Sequence, residues 1–464
     1  MTKTPQKTLL LASLALFLTL AAAGSSADAA EKEHVAKLTP APNFVIFLTD
    51  DQGWGDLGCY GHPRIKSPNI DAFAKQGLRL TQCYAGSGVC SPSRSAIQTG
   101  RTPYRNGVYR WVPENSEVHL RSSEITIAKL LQDRGYATCH VGKWHLNGYF
   151  NSPKQPQPSD HGYDWWFATQ NNAAPSHKNP RNFVRNGKAV GELKGFSAPL
   201  VVDEAIRWLK EERNDSKPFF LTVWTHEPHL PIESDPQFMQ HYADLEEGKQ
   251  QHHGNITQLD HAFGNLMRTL DELKVADNTM VIYTADNGPE GLGDRGRTRG
   301  STGGLRGRKR AVYEGGIRVP GIIRWPGHIK PGTESDTPVI GSDIFATLCD
   351  VVDIPLPADR VIDGGSFLPM LQGKEITRAR PLYWRCYLAP KPYQVAMRIG
   401  DWKILSDTKL ERFELYNIQA DAQEKNNLAE TETARLEKMK AELTKLHKEI
   451  EAEGPDWWKR DPRG

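Results

Sequence analysis

Six cysteines in 464 residues, at 59, 83, 90, 139, 349 and 386, are too few and too irregularly spaced for a disulfide scaffold. The chain has no Cys-x-x-Cys pair, which argues against a structural zinc site. Excess charge of either sign is also missing. Lys and Arg number 58 against 56 Asp and Glu, so nucleic acid is not the expected main partner. Beyond Ala23 no apolar stretch approaches the ~18 residues that a membrane span requires, and none is expected in the mature chain. No internal repeat is visible.

What the chain does have begins at its N-terminus. Lys3 and Lys7 precede an apolar run from Leu9 to about Ala23, and Ala27-Asp28-Ala29 supplies small residues for cleavage. This is the pattern of a secretory signal peptide over residues 1–29, and it predicts a protein exported to the periplasm or medium. In that setting disulfides are permitted, and Cys83 stands close enough to Cys90 for a bridge. Tryptophan is well represented, with 12 residues. Trp54, Trp111, Trp144, Trp165 and Trp166 fall in expected loops, where they either stack on sugar rings or close a loop over the core.

Short apolar runs read as buried strands of a parallel sheet: "NFVIFLTDD" (43–51), "GYATCHVGKWH" (135–145), "KPFFLTVWTHEPH" (217–229) and "NTMVIYTADNG" (278–288). Helical patterns separate them at 67–77, 125–135, 201–213 and 256–273. In the first of these Ser67 serves as N-cap, Pro68 opens the helix and Gly77 stops it. Alternating strands and helices predict an α/β fold with a mostly parallel, doubly wound sheet over residues 30–374. After about residue 375 the texture changes to short antiparallel strands. A helix follows, with Leu436, Met439, Leu443, Leu446 and Ile450 on one stripe, so 375–464 reads as a smaller α+β subdomain.

Each of those four strands ends in polar residues: Asp50 and Asp51, Lys143 and His145, His226, Asp286 and Asn287. The carboxyl edge of an open α/β sheet is where ligands bind. Asp50, Asp51, Asp286 and Asn287 offer only hard oxygen donors, a set suited to Ca²⁺, or less well to Mg²⁺, and ill suited to zinc. A simpler role for Asp50 and Asp51 is to cap the turn that follows. In "GSGVCSPSRSAIQTGR" (86–101), Cys90 stands at the start of a short helix whose amide groups, with Arg94, would hold an anion against it. As a thiolate it would have a lowered pKa and be a nucleophile. As a buried cysteine it would be inert. The Gly/Arg-rich stretch 288–310 is either a solvated loop or a basic mouth that attracts polyanions.

Cys-Ser-Pro-Ser-Arg followed by Thr99-Gly100-Arg101 resembles the signature of the type I sulfatases. "LTDDQGWGDLGCYG" (48–61), "VGKWHL" (141–146), "HEP" (226–228), "ADNG" (285–288) and "LRGRKRAVYEGGIRVP" (305–320) are similar to further segments of that family, in the same order. "GDWKIL" through "ELYNIQADAQEKNNLA" (400–429) resembles its C-terminal subdomain. Within the family, the sequence resembles the branch with N-acetylgalactosamine-6-sulfatase and the arylsulfatases. The resemblance implies an alkaline-phosphatase-like fold with Asp50, Asp51, Asp286 and Asn287 as metal ligands. It also implies Cys90 as the precursor of formylglycine, made by a maturation enzyme, with Arg94, Lys143, His145, His226 and Lys309 around it. The implied reaction is hydrolysis of a sulfate ester, of a sulfated carbohydrate or an aryl alcohol. One hydroxyl of a hydrated aldehyde at position 90 attacks sulfur, and His226 or Lys309 protonates the leaving alcohol. The second hydroxyl then lets the carbonyl re-form and expels sulfate. Arg94 and Lys143 would hold the anion, and His145 would hydrogen-bond the hydrate or help to deprotonate it.

Two other readings stay open on sequence. A phosphodiesterase or phosphonate monoester hydrolase of the related superfamily would be expected to carry more histidine among its metal ligands. A non-catalytic binder of sulfated glycans would keep Cys90 as a thiol.

Overall fold

The computed structural model describes residue 1, residues 40–291 and residues 299–457. The proposed signal peptide lies outside the described residues, as does 292–298 of the Gly/Arg-rich stretch. From Pro42 onward the chain forms one compact unit.

The central strand of the main sheet is Asn43–Thr49, all seven residues buried. Phe219–Trp224 pairs with it in parallel on one side and Thr279–Ala285 in parallel on the other. Ala137–Lys143 adds to Phe219–Trp224, and Trp165–Thr169 adds to that, both parallel. Beyond Thr279–Ala285 the sheet turns antiparallel through Arg318–Arg324 and then Leu78–Tyr84. The sheet is therefore mixed but mostly parallel, with 11 strands among the described residues. Its central strands read as unbroken apolar runs because helices cover both faces. One such cover is Glu247–Glu272, whose Ile256, Leu259, Phe263 and Leu266 pack under Phe47 and Tyr283.

That helix begins nine residues before the expected 256. Its first turns bury His252, His253 and Asn255, so apolar spacing could not announce them. The helix expected at 201–213 runs Ser197–Arg207 and ends in a wider π turn, Trp208–Glu212. Ser67 does not cap its helix through its side chain: its hydroxyl accepts from Gly58 N at 2.9 Å and donates to Asp71 Oδ1 at 3.0 Å.

Register fixes where the strands end. Leu48 sits opposite Trp224, Trp224 opposite Gly142, Lys143 opposite Thr169, and Thr49 opposite Ala285. Backbone hydrogen bonds continue the row, from Thr225 N to Leu48 O at 2.9 Å and from Asp286 N to Thr49 O at 3.1 Å. Asp50, Lys143, Thr225 and Asp286 thus emerge at one level on one rim.

The C-terminal sheet has four antiparallel strands, Leu382–Arg385, Val395–Ile399, Trp402–Ser406 and Phe413–Asn417, followed by the helix Thr433–Ala452. Met439, Leu443, Leu446 and Ile450 are buried and Leu436 half-buried, so the stripe is packing. Trp384, Ala396, Leu405 and Tyr416 share one apolar cluster with Tyr84, Val89, Val312 and Ile317 of the larger sheet and its loops. Among the described residues no helix is long and apolar enough to cross a membrane. All six cysteines are unpaired, so no Cys83–Cys90 bridge exists.

Candidate active site

Cys90 opens the helix Cys90–Thr99, in which all ten residues are buried. The turn before it is closed by Ser93, whose hydroxyl accepts from Ser87 N and donates to Ser87 O, both at 2.9 Å. Gly88 is required there, because a Cβ would come within 2.8 Å of Ala311 O. Pro92 falls in the first helical turn, where a missing N–H costs nothing. Cys90 is 3 % exposed.

Arg94, one turn further on, is fully buried and ties three strands together. Its Nη2 and Nε donate to Asp286 Oδ2 at 2.7 and 3.0 Å, and its Nη1 donates to the Lys143 carbonyl at 2.9 Å. Asp50 Oδ2 lies 3.3 Å from Nη2, and the ring of Trp224 lies 5.3 Å from the guanidinium carbon. Lys143 Nζ donates to Asp50 Oδ2 at 2.5 Å. Lys309 Nζ sits 2.7 Å from Asp51 and 3.1 Å from Glu290. Asn287 Nδ2 donates to Asp51 Oδ1 at 2.7 Å, and Asp51 N donates to Asp286 Oδ1 at 3.2 Å. Asp50 and Asp51 therefore face cations across the rim rather than capping a turn. Asp51 and His145 both hold positive φ, 62° and 56°, a strained backbone of the kind concentrated at functional sites.

One carboxylate oxygen each from Asp50 and Asp286 and the Cys90 Sγ all lie within 4.8 Å of one another. Asp50 Oδ1 and Asn287 Oδ1 are buried without a hydrogen-bond partner. Burial raises Asp51, against the pull of Lys309 and with Asp50 adding to it, to a pKa of about 7. Burial and Asp50 likewise push Asp286 upward. Burial would raise Asp50 too, but Lys143, His229, Arg94 and Lys309 together hold it well below the usual carboxylate range. Three crowded carboxylates, with one orphaned carboxylate oxygen on Asp50 and one orphaned amide oxygen on Asn287, fit a hard divalent cation, which would relieve the repulsion and take up both free oxygens.

Burial pushes the Cys90 thiol up, against Lys143 and Lys309, so an activated thiolate is not what this environment makes. Burial holds His145, His226 and His229 well below the ordinary histidine range. The two histidines of the "HEPH" turn are placed differently. His226 shares a hydrogen bond with Thr169 Oγ1 at 2.8 Å and is absent from the pocket lining. His229 lines the pocket and points Nε2 at Asp51 Oδ2, 3.6 Å away. Sequence reasoning stopped at His226; the repeat of histidine three residues on was the available signal.

The pocket over Cys90 encloses about 200 Å³ and includes Trp111, His145, His229, Glu290, Lys309 and Arg310 in its lining. Part of the Gly/Arg-rich stretch thus reaches the mouth. Arg310 Nη1 donates to Glu290 Oε1 at 2.6 Å on its rim. Of the tryptophans singled out by sequence, Trp144 and Trp166 are buried and Trp54 and Trp165 pack on the core. Trp111 alone of the five lines this pocket.

These features place the molecule among hydrolases that work on a tetrahedral oxyanion. The chain belongs to the sulfatase family: the sulfatase family profile matches residues 42–354, and that of the N-sulphoglucosamine sulphohydrolase C-terminal region matches 307–452. It is 33 % identical over 398 residues to the N-acetylgalactosamine-6-sulfatase of Canis lupus familiaris, covering 80 % of this chain and 72 % of that one. It is 32 % identical to the N-acetylgalactosamine-6-O-sulfatase of Bacteroides thetaiotaomicron, covering 84 % and 89 %, and 31 % identical to the human steryl-sulfatase, covering 72 % and 70 %. Among solved structures, Ps i-CgsB superposes with a TM-score of 0.80 at 26 % identity, over 88 % of this chain and 93 % of its own, and has also been solved in complex with k-i-k-neocarrahexaose. The enzyme is a sulfatase.

Proposed function

We propose that this sulfatase hydrolyses sulfate esters of a carbohydrate, with Cys90 oxidised to formylglycine and Ca²⁺, rather than Mg²⁺, held by Asp50, Asp51, Asp286 and Asn287. The observation that carries the reading is Cys90 standing within 4.8 Å of the Asp50 and Asp286 carboxylates, with Arg94 bridging the two and Lys143 paired with Asp50. When present, the cation would supply charge for the sulfate oxygens, and the hydrated aldehyde the attacking hydroxyl.

The chain's own groups do the rest. Arg94 and Lys143 fix the carboxylates and add positive charge beneath the anion. His145 has an unpartnered Nδ1 beside position 90, its Nε2 being held by the Val112 carbonyl at 3.1 Å, so it is set to hydrogen-bond the hydrate or take its proton. Lys309 is the group best placed to protonate the leaving alcohol, and His229 the other pocket group able to do so. His226 is assigned a supporting position.

Steryl-sulfatase is as similar in sequence as some sugar sulfatases, so identity alone does not choose the substrate. The pocket does. Its lining is mostly polar, with Asn171, Glu290, Lys309, Arg310 and two imidazoles, and it carries one indole at Trp111, which suits a ring with polar edges and one apolar face. A precursor with a signal peptide over 1–29 and a formylglycine-generating partner completes the proposal. The test is turnover of a panel of defined sulfated saccharides, against sulfate and phosphate esters of one chromogenic alcohol. Release of sulfate from a saccharide supports the reading. Dominant phosphatase activity, or turnover confined to sterol and aryl sulfates, overturns it.

A further inference from the structure

We propose that the C-terminal sheet belongs to the catalytic apparatus at one remove: Lys403, Glu424 and Tyr416 are positioning residues that hold the loop carrying Lys309. This rests on the reading of Lys309 as a group that touches the reacting ester.

The loop from Leu305 to Ile317 is folded on itself. Gly315 N donates to Arg306 O at 2.7 Å, and a Cβ on Gly315 would come within 2.2 Å of Gly307 O. Its tip rests on the turn before Cys90, where Arg310 N donates to Gly88 O at 2.6 Å, and Lys309 N donates to Pro289 O at 3.1 Å. Both ends of this knot are then fastened to the smaller sheet. At one end Arg306 Nη1 donates to Tyr416 Oη at 2.9 Å and to the Glu424 carbonyl at 3.0 Å. At the other, Glu314 N donates to Glu424 Oε2 at 2.7 Å, and Glu314 Oε1 accepts from Lys403 Nζ at 2.8 Å. Glu424 Oε1 lies 2.9 Å from the same ammonium, and Tyr84 Oη donates to Glu314 Oε2 at 2.6 Å. The side chains of Glu314, Lys403 and Glu424 are wholly buried.

A buried ion pair contributes little net stability over well-packed apolar groups, because desolvation offsets the attraction. What it does impose is geometry, since each charge must meet its partner or remain unsatisfied. Here the geometry imposed is that of Glu314, five residues from Lys309 on a loop with almost no slack. The mechanism gives these charges no other task.

The test is a double-mutant cycle in the full-length enzyme, with rates taken per molecule of converted Cys90 as measured by peptide mass. Tyr416→Phe and Glu424→Ala are each expected to lower kcat on a saccharide sulfate roughly tenfold, with KM changed less than about threefold, since small misplacements of catalytic groups cost rate. Glu424→Gln should recover part of the loss, because its amide oxygen still accepts from Glu314 N. In a Lys309→Met background the same changes should add less than about twofold, as expected when two residues act through one effect. Equal fractional losses in both backgrounds overturn the proposal, and so does a wild-type kcat in both Tyr416→Phe and Glu424→Ala. If Lys309→Met itself keeps the wild-type rate, the role of Lys309 fails, and the proposal with it. Tyr416→Phe removes a single oxygen and keeps the test decisive should Glu424→Ala not fold.

Discussion

Arg94 places two of its nitrogens on one oxygen of Asp286, at 2.7 and 3.0 Å, with both side chains fully buried. The other Asp286 oxygen is left for Asp51 N at 3.2 Å. A residue of the Cys90 helix thus sets the orientation of a carboxylate at the end of a distant strand, and the proposed nucleophile and the proposed cation site are built as one unit.

Removing that guanidinium should damage both. Arg94→Met leaves the buried Asp286 without its guanidinium partner and Asp50 with Lys143 alone, and the expected loss of folding stability is about 3–5 kcal/mol. Arg94→Lys should not restore activity, because an ammonium cannot reach Asp286 and the Lys143 carbonyl in one plane. Denaturant unfolding and kcat on an aryl sulfate check both statements.

Chelation should act on the same carboxylates. Stripping divalent ions is expected to abolish turnover and lower the melting temperature, and Ca²⁺ should restore both at lower concentration than Mg²⁺. Calorimetric melting with each ion added back measures this. Retention of full activity after exhaustive chelation would remove the cation from the reaction.

Lys309→Ala should reveal its role through the leaving group. Loss of a general acid lowers rates by about 10²–10⁴. The loss should be largest for a sugar alcohol and much smaller for 4-nitrophenol, which leaves without help. His226→Gln should be milder than His229→Gln on both substrates, since only His229 faces the pocket.

Trp111→Ala should separate saccharides from small aryl sulfates. Loss of a stacking face of about 1–1.5 kcal/mol raises KM for a sugar sulfate roughly tenfold. The KM of the small ester should hardly move. Steady-state kinetics on the two substrates is sufficient.

His161 gives a pH signature away from the site. Burial, with only partial compensation from Asp160, lowers it from 6.5 to about 4. Between those values the unfolded chain takes up a proton that the folded one refuses, so this contribution is intact above pH 6.5 and is lost as pH falls toward 4. His161→Gln cannot lose it. The variant should therefore gain on the wild type by about 1–3 kcal/mol between pH 7 and pH 4.5. Urea unfolding at the two pH values measures the difference.

The sheet was legible because Asn43–Thr49, Ala137–Lys143, Phe219–Trp224 and Thr279–Ala285 are apolar on both faces, a pattern that leaves few alternatives. That Cys90, Arg94, Asp50, Asp51, Asp286 and Asn287 gather at one rim was legible because motif order and strand ends coincide. Strand register then brought them within reach of one another. The difference between His226 and His229 was not legible, since it depends on which way a turn rolls after its strand. Nor was the start of Glu247–Glu272, whose opening turns bury polar groups that satisfy one another in three dimensions. The clasp of Glu314 by Lys403 and Glu424 joins residues 89 and 110 positions apart, and nothing local in either stretch announces it.

The helix Cys90–Thr99 has no surface residue, and the turn ahead of it is locked by Ser93. An oxidising enzyme that had to grip this segment would find nothing to hold once folding was complete. Under the proposal made here, conversion has a deadline. Chains that fold first are sealed as thiols and stay inactive for life, so specific activity in any host becomes a record of which event came first.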